Sequence, residues 1–89
     1  MKTAKKYIIV CDTHRTGKIS ETRPLTIEEA IDYFGYTLKC GQSWQHEPGN
    51  KKINRNPKTI KSLISNLNNA VDNSAMNGYG GKSYSFKEV

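Results

Sequence analysis

The side chains best able to do chemistry stand close together: Trp44, His46, Asn50, Lys51, Lys52, Asn54, Arg55, Asn56, Lys58 and Lys61 all fall within residues 44–61. No acidic residue lies between Glu47 and Asp72, so the five cations of that stretch act without local compensation. Their chemistry is the recognition of anions. The interleaved asparagine amides can hydrogen-bond both phosphate oxygens and base edges. Trp44 and His46 add flat rings on which an unpaired base can stack, worth about 1–3 kcal/mol per base. The expected partner is nucleic acid, DNA or RNA, with an acidic protein surface as the alternative.

Each residue type also has an ordinary structural use. Asparagine caps helices and makes turns, lysine solvates surfaces, and a lone tryptophan often packs in a core or at its rim. Asn66, Asn68, Asn69 and Asn73 lie where the chain reads as helix, although asparagine is a mediocre helix former. A polar face that binds a partner accounts for them, and so does biased base composition in the source genome; the sequence leaves both open.

Catalysis finds little support. His14 and His46 are the only histidines, and no motif holds a serine or cysteine beside either, so no nucleophile with its base can be argued. His46-Glu47 is an isolated acid–base pair on a loop. Cys11 and Cys40 lack the short paired spacings of zinc sites, and Gly78, Gly80 and Gly81 precede a strand and not a helix, unlike a phosphate-binding loop. The expectation is a non-enzymatic protein with no metal and no cofactor.

These side chains need elements to position them. Residues 5–13 concentrate β-branched residues and read as a central strand buried on much of both faces. A polar hairpin loop at 14–18 leads to an edge-like strand over 19–23, ended by Pro24. Thr26 to Glu29 matches a capping box, and Ile27, Ala30, Ile31, Phe34 and Leu38 then mark the apolar face of a helix running to about Cys40. Gly41 is the expected left-handed stop, and Gly35 marks close packing or an earlier end. Residues 42–56 show no periodicity, and a stretch of that length is unusual in a small domain unless it has a function.

Asn56-Pro57 reads as the start of a second helix, with Lys58 and Lys61 on its first turns and its unpaired amides forming an anion site. Ile60, Leu63, Ile64, Leu67, Ala70, Val71 and Ala75 form its apolar face, up to a stop at Asn77-Gly78. Residues 82–89 alternate as a last strand beside the first. The fold class expected is α+β: a small antiparallel three-stranded sheet, in β-β-α-α-β order, packed on one face by two helices. It forms a single domain over 1–89 with a functional loop at 42–56.

With 89 residues the chain has room for one hydrophobic core. The mean hydropathy of −0.74 makes that core thin. The longest apolar run, Tyr7-Ile8-Ile9-Val10-Cys11, is too short for a membrane span or a secretory signal, so a soluble, unexported protein is expected. Two cysteines do not make a disulfide framework and read as free thiols of a reducing cytoplasm, packed as small apolar side chains. A net charge of +6 draws in polyanions.

Phe34-Gly35-Tyr36-Thr37-Leu38, Gly49-Asn50-Lys51-Lys52-Ile53-Asn54, Asn56-Pro57-Lys58-Thr59, Asn66-Leu67-Asn68-Asn69-Ala70 and Asn77-Gly78-Tyr79 together resemble a group of short proteins encoded by tailed bacteriophages. The resemblance covers about half the chain and leaves out the first strands. It implies a phage origin and expression in a bacterial host's cytoplasm, and it carries no assigned activity or site residues. Nucleic-acid binding and the disabling of a host protein, as in host takeover or anti-defence, are the two roles it favours.

Overall fold

The fold is described from a computed structural model, over residues 5–75 and 81–89. β1 (Tyr7–Thr13) is the central strand of an antiparallel three-stranded sheet, with β2 (Lys18–Glu21) on one side and β3 (Lys82–Glu88) on the other. The β1–β2 turn closes where Gly17 takes φ +69°, a conformation that costs glycine little. Beyond Pro24 the chain returns to β1, and buried Leu25 exchanges two backbone hydrogen bonds with Tyr7, at 2.7 and 2.8 Å.

Register decides which face is buried. Ile9 stands opposite Phe86 and Cys11 opposite Tyr84, and this row faces the helices. Ile8 and Val10 belong to the other row and are only half-buried, so β1 is covered on one face and not on both as its apolar run suggested. On the open face Lys87 reaches across to Glu21 at 3.1 Å.

Three helices, not two, cover the sheet: α1 (Ile27–Tyr33), α2 (Gly35–Ser43) and α3 (Ile60–Ala75). Thr26 and Glu29 form the expected capping box, with Glu29 N–H donating to Thr26 Oγ1 at 3.2 Å and Thr26 N–H to Glu29 Oε1 at 3.0 Å. That backbone hydrogen bond, aided by Arg23, holds the Glu29 carboxyl below the usual range. The single helix expected over 26–40 divides at Phe34 (φ −99°, ψ 13°), whose ring is buried edge-on against Tyr84. The apolar spacing runs through the break because Leu38 N–H still donates to Phe34 C=O at 3.0 Å.

Gly41 is not a left-handed stop. It lies inside α2, where a Cβ would run into the side chain and backbone of Ala70, so its role is close approach to α3. Gly35 has open space around it and marks the break. α3 buries Leu63, Leu67 and Ala70 against Ile9, Leu25 and Leu38. Each full burial of such a leucine or isoleucine contributes about 1.5–3 kcal/mol. The expected helix stop at Asn77-Gly78 lies outside the described residues.

Candidate functional site

After α2 the chain turns repeatedly from Trp44 to Asn50, with Glu47 N–H donating to Trp44 C=O and Asn50 N–H to Glu47 C=O, both at 3.0 Å. Residues 51–54 then run without a strand partner, yet Ile53 is buried in the core. Buried peptide groups must be paired. Side-chain amides supply the pairing. Asn73 Oδ1 accepts from Lys51 N–H at 2.9 Å while its Nδ2 donates to Lys51 C=O at 2.8 Å and to Gly41 C=O at 3.2 Å. Asn66 Oδ1 accepts from Asn54 N–H at 2.7 Å, and Gln45 Oε1 from Ile53 N–H at 3.1 Å.

Asn68 treats the free edge of β3 in the same way, accepting from Tyr84 N–H at 2.7 Å and donating to Tyr84 C=O at 3.1 Å. Three of the four asparagines on α3 thus bind their own chain in place of missing strand neighbours. Their abundance has a structural cause.

The helix start also moves. α3 begins at Ile60, and Thr59 caps it: Ser62 N–H donates to Thr59 Oγ1 at 3.1 Å and Leu63 N–H to Thr59 C=O at 2.9 Å. Asn56 is therefore not the cap, because its own N–H is turned back to Asn54 Oδ1 at 3.0 Å in a local turn, and Pro57 is buried. Lys58 precedes the helix instead of lying on it, while Lys61 is its second residue.

The cations face outward. Lys51, Lys52, Arg55, Lys58 and Lys61 are all exposed. Lys51 meets Asp72 at 3.6 Å. Among the described residues no carboxylate lies within ion-pair distance of the other four. Asn54 and Asn56 are exposed beside them, whereas Asn50 turns inward, its Nδ2 donating to Trp44 C=O at 2.8 Å and its Oδ1 buried without a partner among the described residues. His46 is exposed.

The expected residues do not all share one surface. Asn54, Arg55 and Asn56 line a cavity of about 520 Å³ together with Asp32, Gly35 and Gln42. Trp44 lines a different cavity, of about 650 Å³, together with Tyr36, Thr37, Cys40 and Ser43 of the same helix region. At 100° per residue Gly35 and Gln42 project from one flank of α2, and Tyr36, Thr37 and Cys40 from nearly the opposite one. Half-buried Trp44 thus lines a cavity separate from the one that Asn54, Arg55 and Asn56 line.

The second cavity also holds residues that sequence reasoning passed over, Arg15, Lys82 and Tyr84. They become neighbours only through register: Thr13 stands opposite Lys82, and His14 N–H donates to Gly81 C=O at 2.6 Å. Burial, with Cys11 beside it, pushes the Tyr84 phenol up to about 12. Cys11 and Cys40 are free and half-buried. Among the described residues no three His, Cys, Asp or Glu side chains gather as a metal-binding group, and no helix is long and apolar enough to cross a membrane.

Comparison with known proteins returns no match, whether to a family model, to a curated protein or to a solved structure.

Proposed function

We propose that the chain is a small non-enzymatic phage protein, working in the bacterial host's cytoplasm, that binds nucleic acid along the strap formed by residues 51–61. The observation that carries this reading is the fate of its cations: Lys52, Arg55, Lys58 and Lys61 are exposed and, among the described residues, without an acidic partner. The strap backbone is held at Lys51, Ile53 and Asn54 by Asn73, Gln45 and Asn66, so docking a phosphate chain orders long side chains more than this part of the strap. Asn54 and Asn56 supply amides beside the cations, and the Thr59-capped start of α3 adds a partial positive charge.

Counterion release sets the test. Affinity for single- and double-stranded DNA and RNA is measured from low to moderate salt for the native chain and for a Lys52→Gln/Arg55→Gln/Lys58→Gln variant. The native chain is expected to lose affinity steeply with salt. The variant is expected to bind more weakly, with a salt slope reduced by roughly one for each phosphate it no longer neutralises. A salt-independent interaction, or none with any nucleic acid, overturns the reading.

A second reading rests on the aromatic surface of the adjoining helices, where Tyr33 and Tyr36 are exposed at 60% and 79%. Large exposed rings on a chain of net charge +6 also suit an inhibitor that docks on an acidic patch of a host protein. Capture from nuclease-treated host lysate separates the two: one retained host protein favours the inhibitor, and loss of all captured protein with the nucleic acid favours the first reading.

A further inference from the structure

The cavity on the far flank of α2 has a chemistry of its own. Its aromatic surfaces come from Tyr36, Trp44 and Tyr84, and Ala70, Val71, Thr13, Ser43 and Ser74 also belong to its lining. Two cations, Arg15 and Lys82, belong to the lining, and among the described residues no carboxylate does. Neither cation has an acidic partner among the described residues. The two are held near each other by the sheet. The Thr13–Lys82 register, the bond from His14 N–H to Gly81 C=O, and a 3.0 Å contact between His14 Nε2 and Ser83 Oγ tie the hairpin turn to the start of β3.

A ligand suited to these walls carries negative charge together with a flat, weakly polar group. Simple anions would leave the rings unused, and an uncharged aromatic would leave two cations without a counter-charge. The volume of about 650 Å³ lies within the range of small-molecule sites.

We propose that this cavity binds a nucleoside phosphate, with the base against Trp44 and the neighbouring tyrosine rings and the phosphate held by Arg15 and Lys82. The site is separate from the strap and does not depend on nucleic-acid binding there. Nucleobases stack on aromatic rings regardless of identity, so a preference among the four bases is expected to be modest. Arginine supplies the forked donor pair that phosphate oxygens accept.

Trp44 is the only tryptophan and so reports on its own cavity. The full chain is titrated with the four 5′-ribonucleoside monophosphates, with a nucleoside and with inorganic phosphate, following tryptophan fluorescence and backbone amide shifts. Saturable quenching by mononucleotides is expected, with shifts at Thr13, Arg15, Trp44 and Tyr84 and much weaker effects from nucleoside or phosphate alone. Arg15→Gln, with its fold checked by the same amide spectrum, is expected to weaken binding by about tenfold. The Lys52→Gln/Arg55→Gln/Lys58→Gln variant should bind mononucleotides as the native chain does, so failure at the strap and failure here read out separately. The proposal is overturned if no mononucleotide binds at millimolar concentration, if the shifts map to residues 51–61, or if Arg15→Gln binds unchanged.

Discussion

Along one flank of α2, a strap with no strand beside it has peptide groups met by Asn66, Asn73 and Gln45; along the sheet, β3 meets β1 directly, and on its outer edge Asn68 meets it at Tyr84. One residue type does both jobs, because an asparagine amide offers the same donor and acceptor as a peptide group. Where a strand neighbour exists, pairing is repeated along the backbone and tolerates the loss of one member. On the strap one side chain, Asn73, meets both peptide groups of Lys51 and also holds Gly41 of α2. Small proteins have little core to spare, so such clamps carry a larger share of stability than their number suggests.

The sharpest way to break this comparison is to remove the two clamps in turn. Asn73 is buried, and Asn73→Ala leaves Lys51 N–H, Lys51 C=O and Gly41 C=O without that partner. An unsatisfied buried group costs about 1–3 kcal/mol, so a loss of about 3 kcal/mol or more is expected in chemical denaturation. Asn68→Ala opens one edge pair beside water and is expected to cost about 1 kcal/mol. Equal losses would show that strap and sheet edge depend on their amides to the same degree.

Next in size is the contact that lets α2 lie against α3. Gly41→Ala drives a methyl group into Ala70, and overpacking of this kind costs about 1–3 kcal/mol. Gly35→Ala meets open space at a backbone angle that alanine accepts, and is expected to be neutral or to stabilise by up to about 1 kcal/mol. Thermal melts should show a lowered midpoint for Gly41→Ala and an unchanged or raised one for Gly35→Ala.

Much of this architecture is legible in the amino-acid sequence. The capping box, the apolar face of α3 from Ile60 to Val71 and the pairing of the last strand with the first all follow from local patterns that the fold respects. What failed to show had a physical reason in each case. The break at Phe34 keeps the helical spacing and the Phe34–Leu38 hydrogen bond, so periodicity passes through it unmarked. Gly41 has the same letter whether it ends a helix or admits a neighbour, and only the position of Ala70 tells the two apart. Asn56-Pro57 carries a strong start signal, but Thr59 lies closer to the apolar run and makes the cap.

The candidate site divided along similar lines. Charge could be read from composition, and the cations of 51–61 are exposed as that reading requires. The asparagines could not be sorted, because one that grips a distant backbone and one that faces solvent look alike until Lys51 is seen beside Asn73. Trp44 sits next to the basic run in sequence, yet it lines a different cavity from Asn54, Arg55 and Asn56.

The smallest expected effect on stability tests where the strap's charge comes from. Lys51 meets Asp72 at 3.6 Å, with both side chains more than half exposed, at 60% and 63%. Exposed pairs of this kind contribute about 0–1 kcal/mol, so Asp72→Asn should shift the unfolding midpoint little. Its effect on binding should be larger than its effect on folding. Asp72 is the carboxylate that pairs with a strap cation, and neutralising it frees Lys51 for a phosphate while raising the net charge by one. If the strap is the binding surface, the variant should bind DNA or RNA more tightly than the native chain at low salt. Its salt slope should be steeper by up to roughly one phosphate equivalent. The same substitution should leave mononucleotide quenching of Trp44 unchanged, since Asp72 is not among the residues lining that cavity. A variant that binds nucleic acid no better, with the slope unaltered, would place the charge that matters elsewhere than beside Lys51.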